Sequence, residues 1–203
     1  MPSKTNVTRS ALLDAAIEVI AAKGLDAWTI ADVAKAAGRS HGLAGHYFST
    51  KADLLEAAVA KLLDTKAPMP PKRPPNHALV GLLEAGLDAF NPSKPFARAR
   101  AVVLNQSHSA RQFEDRIAAH HGARVQVLRN LLNQGIDTGY ITDLDPDTTA
   151  VAIYAAYRGV ELAMLHLSAD AEAQGLIDAF IARIAHSLAP WVRPEPNWQV
   201  VSG

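Results

Sequence analysis

The chain has 203 residues, 49% hydrophobic and 20% charged, an ordinary globular composition that is long enough to bury a core without cross-links. Its zero cysteines exclude disulfides, thiolate metal sites, iron–sulfur clusters and a cysteine nucleophile. Twenty basic and twenty acidic residues cancel, which excludes a globally basic nucleic-acid binder but leaves room for a local basic patch. No run reaches the roughly 18 apolar residues of a membrane span. The opening MPSKTNVTRS lacks the apolar stretch of a secretory signal. The expectation is a cytoplasmic protein that engages no membrane.

Helical periodicity runs through almost the whole chain, and no stretch alternates like a half-buried strand. Residues 8–24 put Leu13, Ala16, Ile17, Ile20 and Ala21 on one face, with Thr8 as N-cap and Gly24 as stop. Thr29 caps a short helix carrying Ile30, Val33, Ala34 and Ala37. Ala37-Gly38-Arg39 reads as a turn, Ser40 caps a third short helix to about Phe48, and a fourth runs from about Thr50 to Lys66. APMPPKRPP at 67–75 reads as an extended elbow, because proline fixes φ and removes a donor. Helices follow at about 76–90, 95–107 and 110–137. Pro146 then opens a helix that runs to about Leu167 and is apolar nearly all round, with Arg158 and Glu161 as its charges after Asp147. A last helix at 171–188 has a stripe of Leu176, Ile177, Phe180, Ile181, Ile184 and Leu188.

The informative segment is Thr29 to Leu55. Two short helices joined by a tight glycine turn make a helix-turn-helix. The second helix is short and carries Gly42, Ala44 and Gly45, which suits approach to a major groove. Between Val33 and Ala52 stand Lys35, Arg39 and Lys51 and no acid, whereas residues 1–66 as a whole hold eight basic and seven acidic side chains. The charge is a patch, so binding should need two such patches acting together.

This segment resembles the DNA-binding domain of TetR-family transcriptional regulators through Thr29, Ile30-Ala31, Val33-Ala34, Ala37-Gly38, Ser40, Gly42, His46-Tyr47-Phe48, Lys51 and Leu54-Leu55. The wider chain is similar to the choline-responsive, BetI-like subgroup, with Gly135, Gly139 and Asp145-Pro146 at familiar places. The resemblance implies phosphate contacts from Thr29, Ser40, Tyr47 and Lys51, and base-edge contacts from His41 and Leu43. Two departures stand out. Arg39 replaces the family's usual apolar residue and is placed to reach a phosphate, and Gly45 replaces a frequent Tyr. Such a base-reading set is poor in hydrogen-bonding tips, so thymine methyls and DNA shape would carry part of the discrimination.

The expected architecture is all-α. Residues 1–48 form a helix-turn-helix head and 49–203 a ligand-binding and dimerisation body, with 50–66 as connecting helix. The expected function is ligand-responsive transcriptional regulation, as a repressor released from operator DNA by a small molecule, without enzymatic activity, cofactor or metal. Phe96, Asn105, His108, Phe113, Tyr154 and Tyr157 are the candidate effector contacts, because pockets combine apolar walls with a few polar tips. Val160, Met164, Ile177, Phe180 and Ile184 are the candidate homodimer interface, because helices 148–167 and 171–188 offer more apolar surface than one core needs. Eight dispersed histidines keep an all-α cofactor or metal enzyme as the second reading. A helical adaptor that no longer holds DNA, supported by Gly45, is the third.

Overall fold

The computed structural model of the protein describes residues 4–64, 95–105, 111–167 and 170–192. The elbow at 67–75, the helix expected at 76–90, the tail from 193 and His108 lie outside the described residues. The fold is all-α. Its helices are α1 (Lys4–Lys23), α2 (Ile30–Ala36), α3 (His41–Tyr47), α4 (Lys51–Leu63), α5 (Pro95–Asn105), α6 (Glu114–Asp137), α7 (Pro146–Met164) and α8 (Asp170–Leu188). Single 3-10 turns occupy Arg111–Phe113 and Ala189–Trp191. An isolated antiparallel bridge joins Ile141 to Val192.

Local chemistry sets most of these boundaries. Thr29 and Thr50 each form a capping box, with Asp32 and Asp53 three residues on. Ser40 Oγ accepts from the Leu43 N–H at 3.2 Å, and the Asp145 carboxylate accepts from the Asp147 and Thr148 N–H groups ahead of Pro146. α1 begins at Lys4, before the Thr8 cap expected from the sequence. α2 ends in a Schellman motif. The Arg39 N–H donates to Ala34 O at 2.8 Å and the Gly38 N–H to Lys35 O at 3.1 Å, with Gly38 at φ +62°. Gly38 is therefore required for its backbone conformation. A Cβ there would meet nothing within 4 Å, so it is not needed for close helix crossing. α2 and α3 pack together, and each buries an alanine, Ala34 and Ala44.

The described residues form two compact units. The first contains α1 to α5 and α6 as far as His121. α1 packs on α2, α4 and α5, and α4 packs on α5. Leu12, Ile20, Leu25, Val33, Leu54, Val59, Leu62 and Val103 are fully buried in one core. The head expected at 1–48 thus shares its core with the connecting helix and with residues near 95–117. The reason is the face Leu54, Leu55, Ala58, Val59, Leu62 and Leu63, which is too apolar to stand between two bodies in water.

The second unit contains the rest of α6, with α7 and α8 packed on each other. Its core is built from Leu128, Leu131, Leu132, Ile141, Ala150, Ile153, Val160, Met164, Ile177 and Phe180. Of the residues expected at the interface, Val160, Met164, Ile177 and Phe180 are buried within the single chain and Ile184 is half-buried. The outward side of α7 instead shows Val151 and Leu162, 53% and 42% exposed, beside the exposed small residues Ala152, Ala155, Ala156 and Gly159.

Leu54→Ala removes a fully buried side chain from the first core. It should destabilise the chain by about 2–5 kcal/mol, read from the midpoint of urea unfolding at unchanged m-value. A loss under about 1 kcal/mol would mean that α4 is not held by that core.

Candidate nucleic-acid interface

The loop between α1 and α2 is wired to both neighbouring helices. The Trp28 indole N–H donates to Leu25 O at 2.8 Å, and the Trp28 backbone N–H to Asp26 O at 3.0 Å. Lys51, the first residue of α4, donates from Nζ to the same Asp26 carbonyl at 2.6 Å and lies 4.7 Å above the Trp28 ring. Thr29 follows directly. Its N–H and hydroxyl both donate to Asp32 Oδ2, at 2.8 and 3.0 Å, and its Oγ1 accepts from the Asp32 N–H at 3.2 Å. Lys23 closes the arrangement with a 2.9 Å ion pair to Asp32 Oδ1. The Lys23 partner and the two Thr29 hydrogen bonds hold the Asp32 carboxyl down to about 2, from 3.8.

The expected DNA-contacting residues fall between the α1–α2 loop and the start of α4. Thr29, Arg39, Ser40 and His41 are exposed, and Leu43, Tyr47 and Lys51 are half-buried. Arg39 has no side-chain partner among the described residues, which fits its place after the Schellman glycine, where an apolar residue would have packed. His46 is exposed and meets the Tyr47 ring edge-on at 5.5 Å. Gly42 and Gly45 have open space where a side chain would stand. Lys23–Asp32 and Lys61–Asp14 neutralise each other, so the cations left on this stretch are those without a carboxylate. Arg9 of α1 meets this segment at Phe48. Its guanidinium lies 5.1 Å from the centroid of Phe48.

The expected effector contacts do not form one group within either unit. Phe96 and Phe113 belong to the first unit, and Phe113 is buried in its core, so it acts there as packing. Asn105 is exposed and donates to Ala101 O at 2.8 Å within its own helix. Tyr154 and Tyr157 lie together in the second unit, stacked at 6.2 Å and 13°. Beside them is a group the sequence showed only as a lone acid in an apolar helix. Glu161 is 2% exposed, accepts from the Tyr157 hydroxyl at 3.0 Å and is ion-paired with Arg158.

Among the described residues no three His, Asp or Glu side chains gather as metal ligands. His120 is buried, with Nδ1 2.9 Å from Leu63 O. No helix among the described residues is long and apolar enough to cross a membrane.

Residues 12–58 match the family model for bacterial regulatory proteins, tetR family. The chain is 38% identical over 93 residues to the HTH-type transcriptional regulator BetI of Rhizobium meliloti, covering 42% of this chain and 46% of that one. It spans about half the length, or less, of the curated relatives it matches. A TetR transcriptional regulator from Chloroflexus aurantiacus superposes with TM-score 0.76 at 18% identity, over 95% of this chain and 99% of that one. The SmeT–triclosan complex superposes with TM-score 0.68 at 19% identity, over 94% and 98%. At these identities the two structures speak for the fold alone.

Asp32 supplies a pH test of the loop. Its carboxyl is depressed in the folded state, so its contribution is complete above 3.8 and is lost as pH falls towards about 2. The stability gap between wild type and Asp32→Asn should therefore be constant above pH 4 and shrink below it. A gap that stays constant down to about pH 2 would show that Asp32 acts without its charge.

Proposed function

Since the chain belongs to the tetR family of bacterial regulatory proteins, we propose that it is a ligand-responsive transcriptional regulator, a homodimeric repressor that a small molecule releases from operator DNA. The observation that carries this reading is α3. It is a seven-residue helix capped by Ser40, free of acidic side chains, and it exposes His41, Gly42, Gly45 and His46 within the matched segment. Such a helix enters a major groove and its flanks grip phosphate.

In this reading Thr29, Arg39, Ser40, Tyr47 and Lys51 contact the sugar–phosphate backbone, and His41 and Leu43 reach base edges. Lys51 spends one of its three donors on Asp26 O and keeps two for phosphate. The helix has few hydrogen-bonding tips, so apolar contact and DNA shape supply part of the specificity. Dimerisation places two such helices about 34–36 Å apart, or a multiple of that distance. A second copy meets the outward side of α7, where Val151 and Leu162 are exposed. The regulator works in the cytoplasm, where it meets its DNA.

The effector reading rests on Tyr154 and Tyr157, which combine aromatic faces with phenol hydroxyls near the Arg158–Glu161 pair. A ligand that prefers another dimer geometry weakens DNA binding by the same factor that DNA weakens ligand binding.

The test is selection of bound sequences from a random duplex pool by the full chain. An enriched half-site motif is expected, and His41→Ala should change preference at one of its positions. Absence of enrichment would overturn the regulator reading; an unchanged profile for His41→Ala would remove only that residue. For the dimer, Leu162→Asp should give monomers by light scattering with an intact fold, together with weaker operator binding. A wild type that is already monomeric at micromolar concentration would defeat the dimer reading.

A further inference from the structure

We infer that Arg9 is an additional DNA-phosphate contact, held ready for that role by the ring of Phe48. The inference rests on the regulator reading above. Arg9 is an exposed residue of α1, and its guanidinium carbon is 5.1 Å from the Phe48 ring centroid, inside the range of a cation–π contact. Phe48 is 3% exposed and is the C-cap of α3, its N–H donating to Ala44 O at 3.0 Å. The ring belongs to the core and fixes the cation at the end of the helix assigned to the groove.

The chemistry of the contact decides what the guanidinium can still do. Lys61 and Arg116 end on Asp14 and Asp64, so those charges are compensated. Arg9 has no carboxylate or other hydrogen-bond partner among the described residues. Its guanidinium spends no N–H on a protein oxygen among the described residues, and those donors match phosphate oxygens. The ring also orders the side chain before DNA arrives, so less rotamer freedom is lost on binding.

Lys51 over Trp28 is a second case of the same arrangement. Trp28 directly precedes the cap of α2, and Phe48 directly follows α3. The helix-turn-helix is thus bracketed by two aromatic rings, each holding one cation. The bland account of Arg9 is a surface side chain covering part of a ring. That role would leave the salt dependence of DNA binding unchanged.

The test uses the full chain and a fluorescein-labelled random-sequence duplex, with affinity read by anisotropy between about 50 and 200 mM salt. Arg9→Gln should weaken binding and lower the slope of log affinity against log salt by about one per bound chain, with the melting temperature unchanged. Arg9→Lys should keep the wild-type slope but bind more weakly, because an ammonium lacks the planar fork that meets phosphate oxygens in pairs. Wild-type affinity and slope in Arg9→Gln would overturn the proposal. So would weaker binding at unchanged slope with a lowered melting temperature, which would mark a purely structural role. Arg9→Lys binding as tightly as wild type would show that the charge alone, without the guanidinium fork, makes the contact. A wild type that shows no salt-dependent duplex binding would be the failure of the regulator reading, not of Arg9.

Discussion

Burial of the apolar side of α1 is the interaction on which the helix-turn-helix depends. α2 and α3 have seven residues each, two turns that would not persist alone in water. Their caps satisfy orphan N–H groups and contribute about 1 kcal/mol apiece. A fully buried leucine, isoleucine or valine contributes about 1.5–3 kcal/mol. Leu12, Ile20, Leu25, Val33, Leu54, Val59 and Leu62 are all of that kind, and α1 is the helix that meets α2, α4 and α5. The caps decide where the short helices start; the burial around α1 decides that they exist.

That division leaves the exposed side of α2 and α3 free for electrostatics. The acids nearest the motif are occupied. Asp32 and Asp53 close capping boxes, and Asp14 takes Lys61. The cations of the motif are held by carbonyl oxygen or aromatic rings, or are left in solvent, and none of these neutralises them. A chain with zero net charge can therefore still keep these cations free of direct carboxylate partners. A screening length of about 8–10 Å at physiological salt keeps their field local.

The second unit follows another logic. α7 is apolar, yet it buries a glutamate beside an arginine three residues before it and a tyrosine four before it. Desolvating such a pair costs energy that its attraction only partly returns. A pair of this kind is weak evidence for stability and better evidence for a polar point fixed inside an apolar layer. Two stacked tyrosine rings beside it give the effector reading its location.

The sequence by itself determined the local structure, because local structure is made by neighbours in the chain. Threonine or serine three residues before its partner fixed the starts of α2, α3 and α4, and Gly38 fixed the turn between α2 and α3. The helix-turn-helix and its family resemblance were legible for the same reason. Only the tertiary structure decided which side of each amphipathic helix faces inward. α7 is apolar nearly all round, so its periodicity left open that Val160 and Met164 turn inward while Val151 and Leu162 turn outward. It also decided contacts between residues far apart in sequence. Lys51 reaches Asp26, Arg9 lies over Phe48, and Phe113 joins the core of the head. Each of these is fixed by how α1, α4 and α5 pack, and packing between distant segments leaves no periodic trace in the chain that makes it.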